Sequence, residues 1–271
     1  MLPTLPTTYL FVPADRLDRL PKARASGADM VILDLEDAVG TDMKDAARAS
    51  AEAVLSNASH RACLRINGTE TQWFEDDCRL LALPGVAGVM VPKAETTTGL
   101  VAVRAVLPES VPMIPLIETA RGLAAAAELA RCAGVLQLAF GSVDFQLDLG
   151  IEGEDLELLF ARSQLVLSSR VAGIGAPVDG VSLAINDVER VRNDAIRARR
   201  LGFSGKLCIH PAQIAAVREA FQPSSKDVAW AQGVLDAAMA TRAGAATYEG
   251  KMVDKPVIER ARAILRRRSS S

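Results

Sequence analysis

Glu118 and Asp144 stand 26 residues apart in a chain of 271, each placed just after a short apolar run. Met113-Ile114-Pro115-Leu116-Ile117 precedes the first, and Leu136-Gln137-Leu138-Ala139-Phe140 comes shortly before the second. The spacing matches one strand-plus-helix unit, so adjacent strand ends would carry both carboxylates to one point. Two carboxylates completed by waters and a chelating substrate are the usual way to hold Mg2+, which dehydrates reluctantly and prefers octahedral oxygen ligands; Mn2+ accepts a similar set. The alternative role for each acid is capping the following helix, worth about 1 kcal/mol. Arg65, in Leu64-Arg65-Ile66-Asn67, favours a site, because its planar fork matches a carboxylate in two parallel hydrogen bonds. Its structural alternative is a salt bridge to Glu36 or Asp37. Lys93 follows Gly88-Val89-Met90-Val91-Pro92; beside so many acids it reads as a charged electrostatic partner rather than a Schiff-base amine. His210, a lone histidine before Pro211, reads as a hydrogen-bonded structural group.

These residues need elements to position them. Further apolar, β-branched runs occur at Tyr9–Val12, Met30–Leu35, Ala62–Ile66, Gly180–Leu183 and Lys206–His210, making eight in all. They are continuous rather than alternating, as strands covered on both faces are. Amphipathic segments separate them, among them Lys44–Asn57, Arg121–Cys132 and Asp187–Leu201. Asn186 or Asp187 is placed to cap the last, and Gly202 to end it. Eight β-then-α units predict a (β/α)8 TIM barrel, with a doubly wound open sheet as the runner-up. A barrel presents its catalytic groups at the C-terminal strand ends. The chain places Asp34-Leu35-Glu36-Asp37, Arg65, Lys93, Glu118 and Gly141-Ser142-Val143-Asp144 at those ends. Beyond the eighth run, Pro211–Phe221, Asp227–Ala240 and Pro256–Arg267 read as helices, and Gly244–Gly250 as a small-residue connection.

Composition narrows the chemistry. A net charge of −2 and 4% aromatic residues, with a pI near 5.8, predict no nucleic-acid partner. No apolar run approaches the roughly 20 residues of a membrane helix, and MLPTLPTTYL lacks the pattern of an export signal, so a cytoplasmic location is expected. Two histidines exclude a multi-histidine metal site, and neither GxGxxG nor GxxxxGK[ST] occurs. Four scattered cysteines read as buried thiols.

The segments LFVPADRLDRLPKA, MVILDLEDAV, LRINGTE, VMVPKAE, PLIETARG, AFGSVDF, GKLCIHPAQI and YEGKMVDKPVIERA follow one another along nearly the whole chain. In that order the sequence resembles the citrate lyase β-subunit-like, or acyl-CoA lyase, branch of the HpcH/HpaI aldolase/citrate lyase family. The resemblance implies a barrel assembled as a homotrimer or trimer-based oligomer. It also implies Mg2+-dependent cleavage or condensation of 3-hydroxyacyl thioesters such as malyl-, citramalyl- or citryl-CoA, giving an acyl thioester and a 2-oxo acid (glyoxylate, pyruvate or oxaloacetate). By the same resemblance Glu118 and Asp144 match the metal ligands, and Arg65 the arginine that holds the oxo-acid carboxylate. Glu36 and Asp37 match acids acting through the metal's waters. Asp254 matches an acid/base that enters a neighbouring subunit's site. The catalytic set is then Arg65, Asp254, Glu36 and Asp37, and the substrate-contacting set Arg65, Glu118, Lys93, Gly141 and Ser142. The barrel is expected over 1–221, with an extension over 222–271 packing on a neighbouring subunit. Thr7 and Thr8 replace an Arg-Ser pair common in the family, and Val143 replaces a common Glu. Other readings are a class II aldolase acting on a free 4-hydroxy-2-oxo acid, a citrate lyase β subunit acting on an acyl-carrier-protein thioester, and a non-catalytic oxo-acid-binding protein.

Overall fold

The computed structural model describes residues 5–240 and 246–269, the side chains of 267–269 excepted. Eight parallel strands close into a barrel in chain order: β1 (Thr8–Pro13), β2 (Met30–Asp34), β3 (Ala62–Arg65), β4 (Val86–Val91), β5 (Met113–Ile117), β6 (Ala139–Phe140), β7 (Val178–Asp179) and β8 (Gly205–Cys208). Between and after them run α1 (Leu20–Ala25), α2 (Lys44–Leu55), α3 (Phe74–Cys78), α4 (Thr97–Val106), α5 (Ala120–Leu129), α6 (Ser142–Leu149), α7 (Leu159–Ala172), α8 (Val188–Leu201) and α9 (Ile214–Phe221). This is the (β/α)8 architecture that the alternation of runs predicts. Local chemistry sets the helix ends. Asp187 accepts the Arg190 N–H at 2.9 Å to start α8, and Gly202, at φ 106°, ends it.

Side chains alternate in and out along each strand. Tyr9, Ile32, Cys63, Met90, Ile114, Leu116, Ala139, Val178 and Leu207 therefore form one buried interior cluster. At its N-terminal end the Tyr9 hydroxyl donates to Gln137 Oε1 at 2.7 Å, and Gln137 Nε2 donates to Ala176 O at 2.7 Å. Above that polar plug the run Leu136–Phe140 is a regular strand only over Ala139–Phe140, while lower down its backbone still pairs with both neighbours, Leu136 N–H to Met113 O at 3.0 Å and Gly175 N–H to Leu136 O at 2.9 Å. The predicted strand Gly180–Leu183 is displaced, to Val178–Asp179. Gly180 is pressed against the Ser142 side chain, and the Ser182 hydroxyl donates outward to Asp194.

Outside the barrel wall, the parity that points Val178 and Leu207 inward turns Asp179 and Lys206 towards α7. Arg162 Nε donates to Asp179 Oδ1 at 2.9 Å, and Lys206 Nζ donates to Asp179 Oδ2 at 3.2 Å and to Gly180 O at 2.6 Å. Burial pushes the Asp179 carboxyl up, but the Lys206 and Arg162 charges outweigh it and hold the group below the usual carboxylate range. Of the four free thiols, Cys63 and Cys208 are buried as expected, whereas Cys78 and Cys132 are partly exposed. Among the described residues no helix is long and apolar enough to cross a membrane.

The chain divides into two compact units, Met1–Arg218 and Glu219–Ser271. The second contains α10 (Ser225–Ala240), the hairpin β9 (Ala246–Tyr248) and β10 (Lys251–Val253), and α11 (Lys255–Ser269). Ala231, Val234, Ala246, Val253 and Ala261 form its own core. Glu249 and Gly250 both have positive φ, 48° and 73°, as a two-residue hairpin turn of the primed type requires. Most of the small-residue connection expected over Gly244–Gly250 is thus a hairpin; Gly244 and Ala245 lie outside the described residues.

Candidate active site

The interior series 30-32 on β2, 63 on β3 and 114-116 on β5 continues, two residues at a time, to Asp34, Arg65 and Glu118. Strand periodicity alone therefore replaces an apolar layer with a charged one at the C-terminal mouth. Phe11, the next interior position on β1, completes that layer. Above it lies a cavity of about 190 Å³ lined by Asp34, Asp37, Arg65, Glu118, Gly141, Ser142 and Asp144 against Leu116, Phe140, Val181 and Leu207.

Arg65 is held from three directions. Its Nε and Nη2 donate to the two oxygens of Asp34 at 2.7 and 2.6 Å. Nη1 lies 3.0 Å from Glu36 Oε2 and 3.7 Å from Asp37 Oδ2. The guanidinium carbon sits 4.7 Å above the Phe11 ring. The salt bridges to Glu36 and Asp37 expected as the structural alternative both form, and Asp34 adds a bidentate partner that the sequence reading does not name. The signal was present: Asp34 and Arg65 interrupt neighbouring apolar runs at the same distance from their ends, and they pair in register.

Glu118 is 1% exposed. Its Oε1 accepts the Lys93 backbone N–H at 2.7 Å, while Oε2 is buried without a hydrogen-bond partner. Burial raises its pKa to about 8, with the nearby charges of Glu36 and Asp144 adding to the rise. Gly141 makes room for this carboxylate, since a Cβ there would stand 2.5 Å from Glu118 Oε2. Neither acid caps a helix by hydrogen bonding. Thr119 Oγ1 caps α5, and α6 has no side-chain cap, with Asp144 in its first turn.

Lys93 and Glu36 stand beside this centre, with Lys93 Nζ donating to Glu36 Oε1 at 2.5 Å. Burial pushes the Glu36 carboxyl above its ordinary range, against the pull of Arg65. Sequence reasoning overlooked Lys44. Its buried ammonium uses all three protons on Leu35 O (2.6 Å), Glu36 O (2.8 Å) and Asn67 Oδ1 (2.7 Å), tying the loop after β2 to that after β3. No periodicity marks it, because its long stem crosses from α2. His210 Nδ1 accepts the Ala212 N–H at 3.2 Å as a structural cap. Asp254 belongs to the second unit, where Oδ1 accepts the Val257 N–H at the start of α11.

The donor set suits a hard divalent cation. Glu118 Oε2 is a buried carboxyl oxygen with no hydrogen-bond partner, Asp144 stands near enough to raise its pKa, and carboxylate oxygens are what Mg2+ takes. Among the described residues no group of three or more His, Cys, Asp or Glu converges as a complete metal cage. The remaining positions would then belong to water and substrate, as Mg2+ sites usually arrange.

Known proteins are similar to this chain along nearly its whole length. A citrate lyase subunit beta-like protein of Deinococcus radiodurans is 41% identical, with 97% of each chain covered. A (3S)-malyl-CoA thioesterase of Cereibacter sphaeroides is 32% identical over 95% of this chain and 93% of that one. The crystal structure of protein CitE from Mycobacterium tuberculosis in complex with magnesium, acetoacetate and coenzyme A matches with a TM-score of 0.86 and 36% identity, covering 97% and 98% of the two chains. The family model for HpcH/HpaI aldolase/citrate lyase matches residues 7–211, a stretch holding every strand of the barrel and every charged group at its mouth. The chain belongs to the HpcH/HpaI aldolase/citrate lyase family, in its citrate lyase β-subunit-like branch.

Proposed function

We propose that the protein is a Mg2+-dependent carbon–carbon lyase that cleaves, or in reverse condenses, a 3-hydroxyacyl-CoA thioester of the malyl, citramalyl or citryl type. The observation carrying this reading is the partnerless, buried Oε2 of Glu118, set beside Asp144 and sharing one cavity with Arg65. The magnesium, acetoacetate and coenzyme A of the Mycobacterium structure supply the ligand classes.

Glu118 and Asp144 hold the cation. When bound it acts as a Lewis acid and orients the substrate's hydroxyl and carboxylate oxygens. Beyond the two N–H groups given to Asp34, Arg65 keeps others on Nη1 and Nη2, and these clamp the oxo-acid carboxylate. The hydroxyl proton passes to the Glu36–Asp37 pair, of which Asp37 lines the cavity. As the C–O double bond forms, the C2–C3 bond breaks and its electron pair becomes the acyl-thioester enolate. Asp254 of a neighbouring subunit in a homotrimer donates a proton to that carbon. Lys93, Gly141 and Ser142 shape the site around the substrate.

The test offers purified protein malyl-CoA, citramalyl-CoA, citryl-CoA and a free 4-hydroxy-2-oxo acid, with Mg2+ or with excess EDTA. Mg2+-dependent release of a 2-oxo acid from a CoA thioester, lost in Asp144→Ala, is expected. Turnover in EDTA, or of the free acid alone, refutes the assignment. The malyl-CoA thioesterase relatives favour one second reading, hydrolysis of the thioester bond, which the same assay registers as free CoA without oxo acid.

A further inference from the structure

Lys93 has φ 47°; among the described residues only it and Glu249 combine positive φ with a side chain. Glu249 meets the demand of a hairpin turn. No hairpin surrounds Lys93, which follows Pro92 in the bend that leaves β4. Left-handed backbone is disfavoured for a residue with a Cβ, and it persists where its surroundings demand it. Here the bend turns the Lys93 N–H onto Glu118 Oε1 at 2.7 Å, occupying one oxygen of that carboxylate and leaving the other, buried beside Gly141, unpaired.

We propose that Lys93 is a positioning residue that acts through its backbone: its left-handed turn fixes Glu118 so that Oε2 alone faces the cation. The inference rests on the reading of Glu118 as a cation ligand. Relative magnitudes favour the amide over the ammonium. The Lys93 side chain is 49% exposed, so its ion pair with Glu36 is screened by solvent and contributes weakly. The N–H bond to Glu118 is buried, and it becomes charge-assisted, the stronger class, once that carboxyl ionises to take a cation. A carboxylate held by one oxygen binds through the other, whereas a free one rotates or chelates through both.

Substitutions separate backbone from charge. Lys93→Met, Lys93→Asn and Lys93→Gly all remove the ammonium, and Asn and Gly accept positive φ more readily than Lys does. Lys93→Val also removes it, and its β-branched side chain resists positive φ. Mg2+ titration of the full-length chain by calorimetry, with a metal-free thermal melt of each variant, reads the difference. Met, Asn and Gly are expected to bind within about threefold of the unaltered protein, and Val about tenfold more weakly or worse. Binding weakened as much in Met and Gly as in Val assigns the role to the charge and overturns the proposal. Should Val not fold, the other three decide, since each lacks the charge. Mg2+ binding undiminished in Glu118→Gln would instead remove the metal reading itself.

Discussion

Asp34 and Arg65 face each other across adjacent strands in register, joined by two parallel hydrogen bonds of 2.7 and 2.6 Å. The pair fixes the plane of the guanidinium, so the edge left for substrate points into the cavity. Asp34→Asn keeps the shape of the side chain but removes its charge and one acceptor. Stability is expected to fall by about 3 kcal/mol, because a buried guanidinium loses its main counter-ion. KM for the thioester should rise at least tenfold. Denaturant unfolding and steady-state kinetics check both.

Glu118→Gln should affect stability and metal binding oppositely. Burial favours the uncharged carboxyl, which the amide imitates. The metal-free variant is therefore expected to melt at or above the unaltered protein at pH 8, yet to lose the rise in Tm that Mg2+ gives.

The same carboxyl sets a pH dependence. Its pKa is raised from 4.5 to about 8, so in the metal-free protein the folded state holds a proton that the unfolded chain releases. Its stabilising contribution is full below the unfolded value and is lost as pH rises through 8. Mg2+ must displace that proton. Affinity should then climb about tenfold per pH unit up to 8 and level off above it. Calorimetry in two buffers of different ionisation enthalpy should register about one proton released per Mg2+ at pH 7.

Gly141→Ala places a methyl group 2.5 Å from both Cβ and Oε2 of Glu118. A loss of about 2 kcal/mol is expected from the overpacking, together with weakened Mg2+ binding, because the carboxylate is pushed from its seat. Chemical denaturation and metal titration measure the two effects separately.

Asp254 can be divided in the same way. Asp254→Asn retains an oxygen to accept the Val257 N–H that starts α11, whereas Asp254→Ala loses it, at about 1 kcal/mol. Both should reduce kcat by about a hundredfold or more while leaving Mg2+ affinity unchanged. Activity retained in Asn but lost in Ala would make the residue a helix cap only.

The barrel was legible because its strands are apolar runs at regular intervals, and the site because acids and Arg65 interrupt those runs near their ends. Partnerships between elements were not legible. That Asp34 rather than Glu36 is the principal partner of Arg65 depends on strand register, and Lys44 joins two loops through backbone carbonyls that no side-chain pattern records. Strand β6 lies within its expected run but is shorter, and β7 is displaced from Gly180–Leu183 because Gly180 packs closely on Ser142.

Those two strands are also the shortest of the eight, and a single Cα pair, Ala139 with Val178, links them. Main-chain bonds also cross this seam lower down, from Val178 N–H to Leu138 O and from Gly175 N–H to Leu136 O, each 2.9 Å, so the regular pairing is shortest towards the mouth. The Arg162–Asp179–Lys206 triad acts as an ionic bolt across the outer side of the seam, fastening β7 to α7 and β8. Local opening should begin at this seam, and the amide protons of residues 138–141 and 178–181 should exchange with solvent before those of β1 to β4. Gly141 and Val181 rise directly from the seam into the cavity wall, so any opening of the two shortest strands would widen the cavity on that flank.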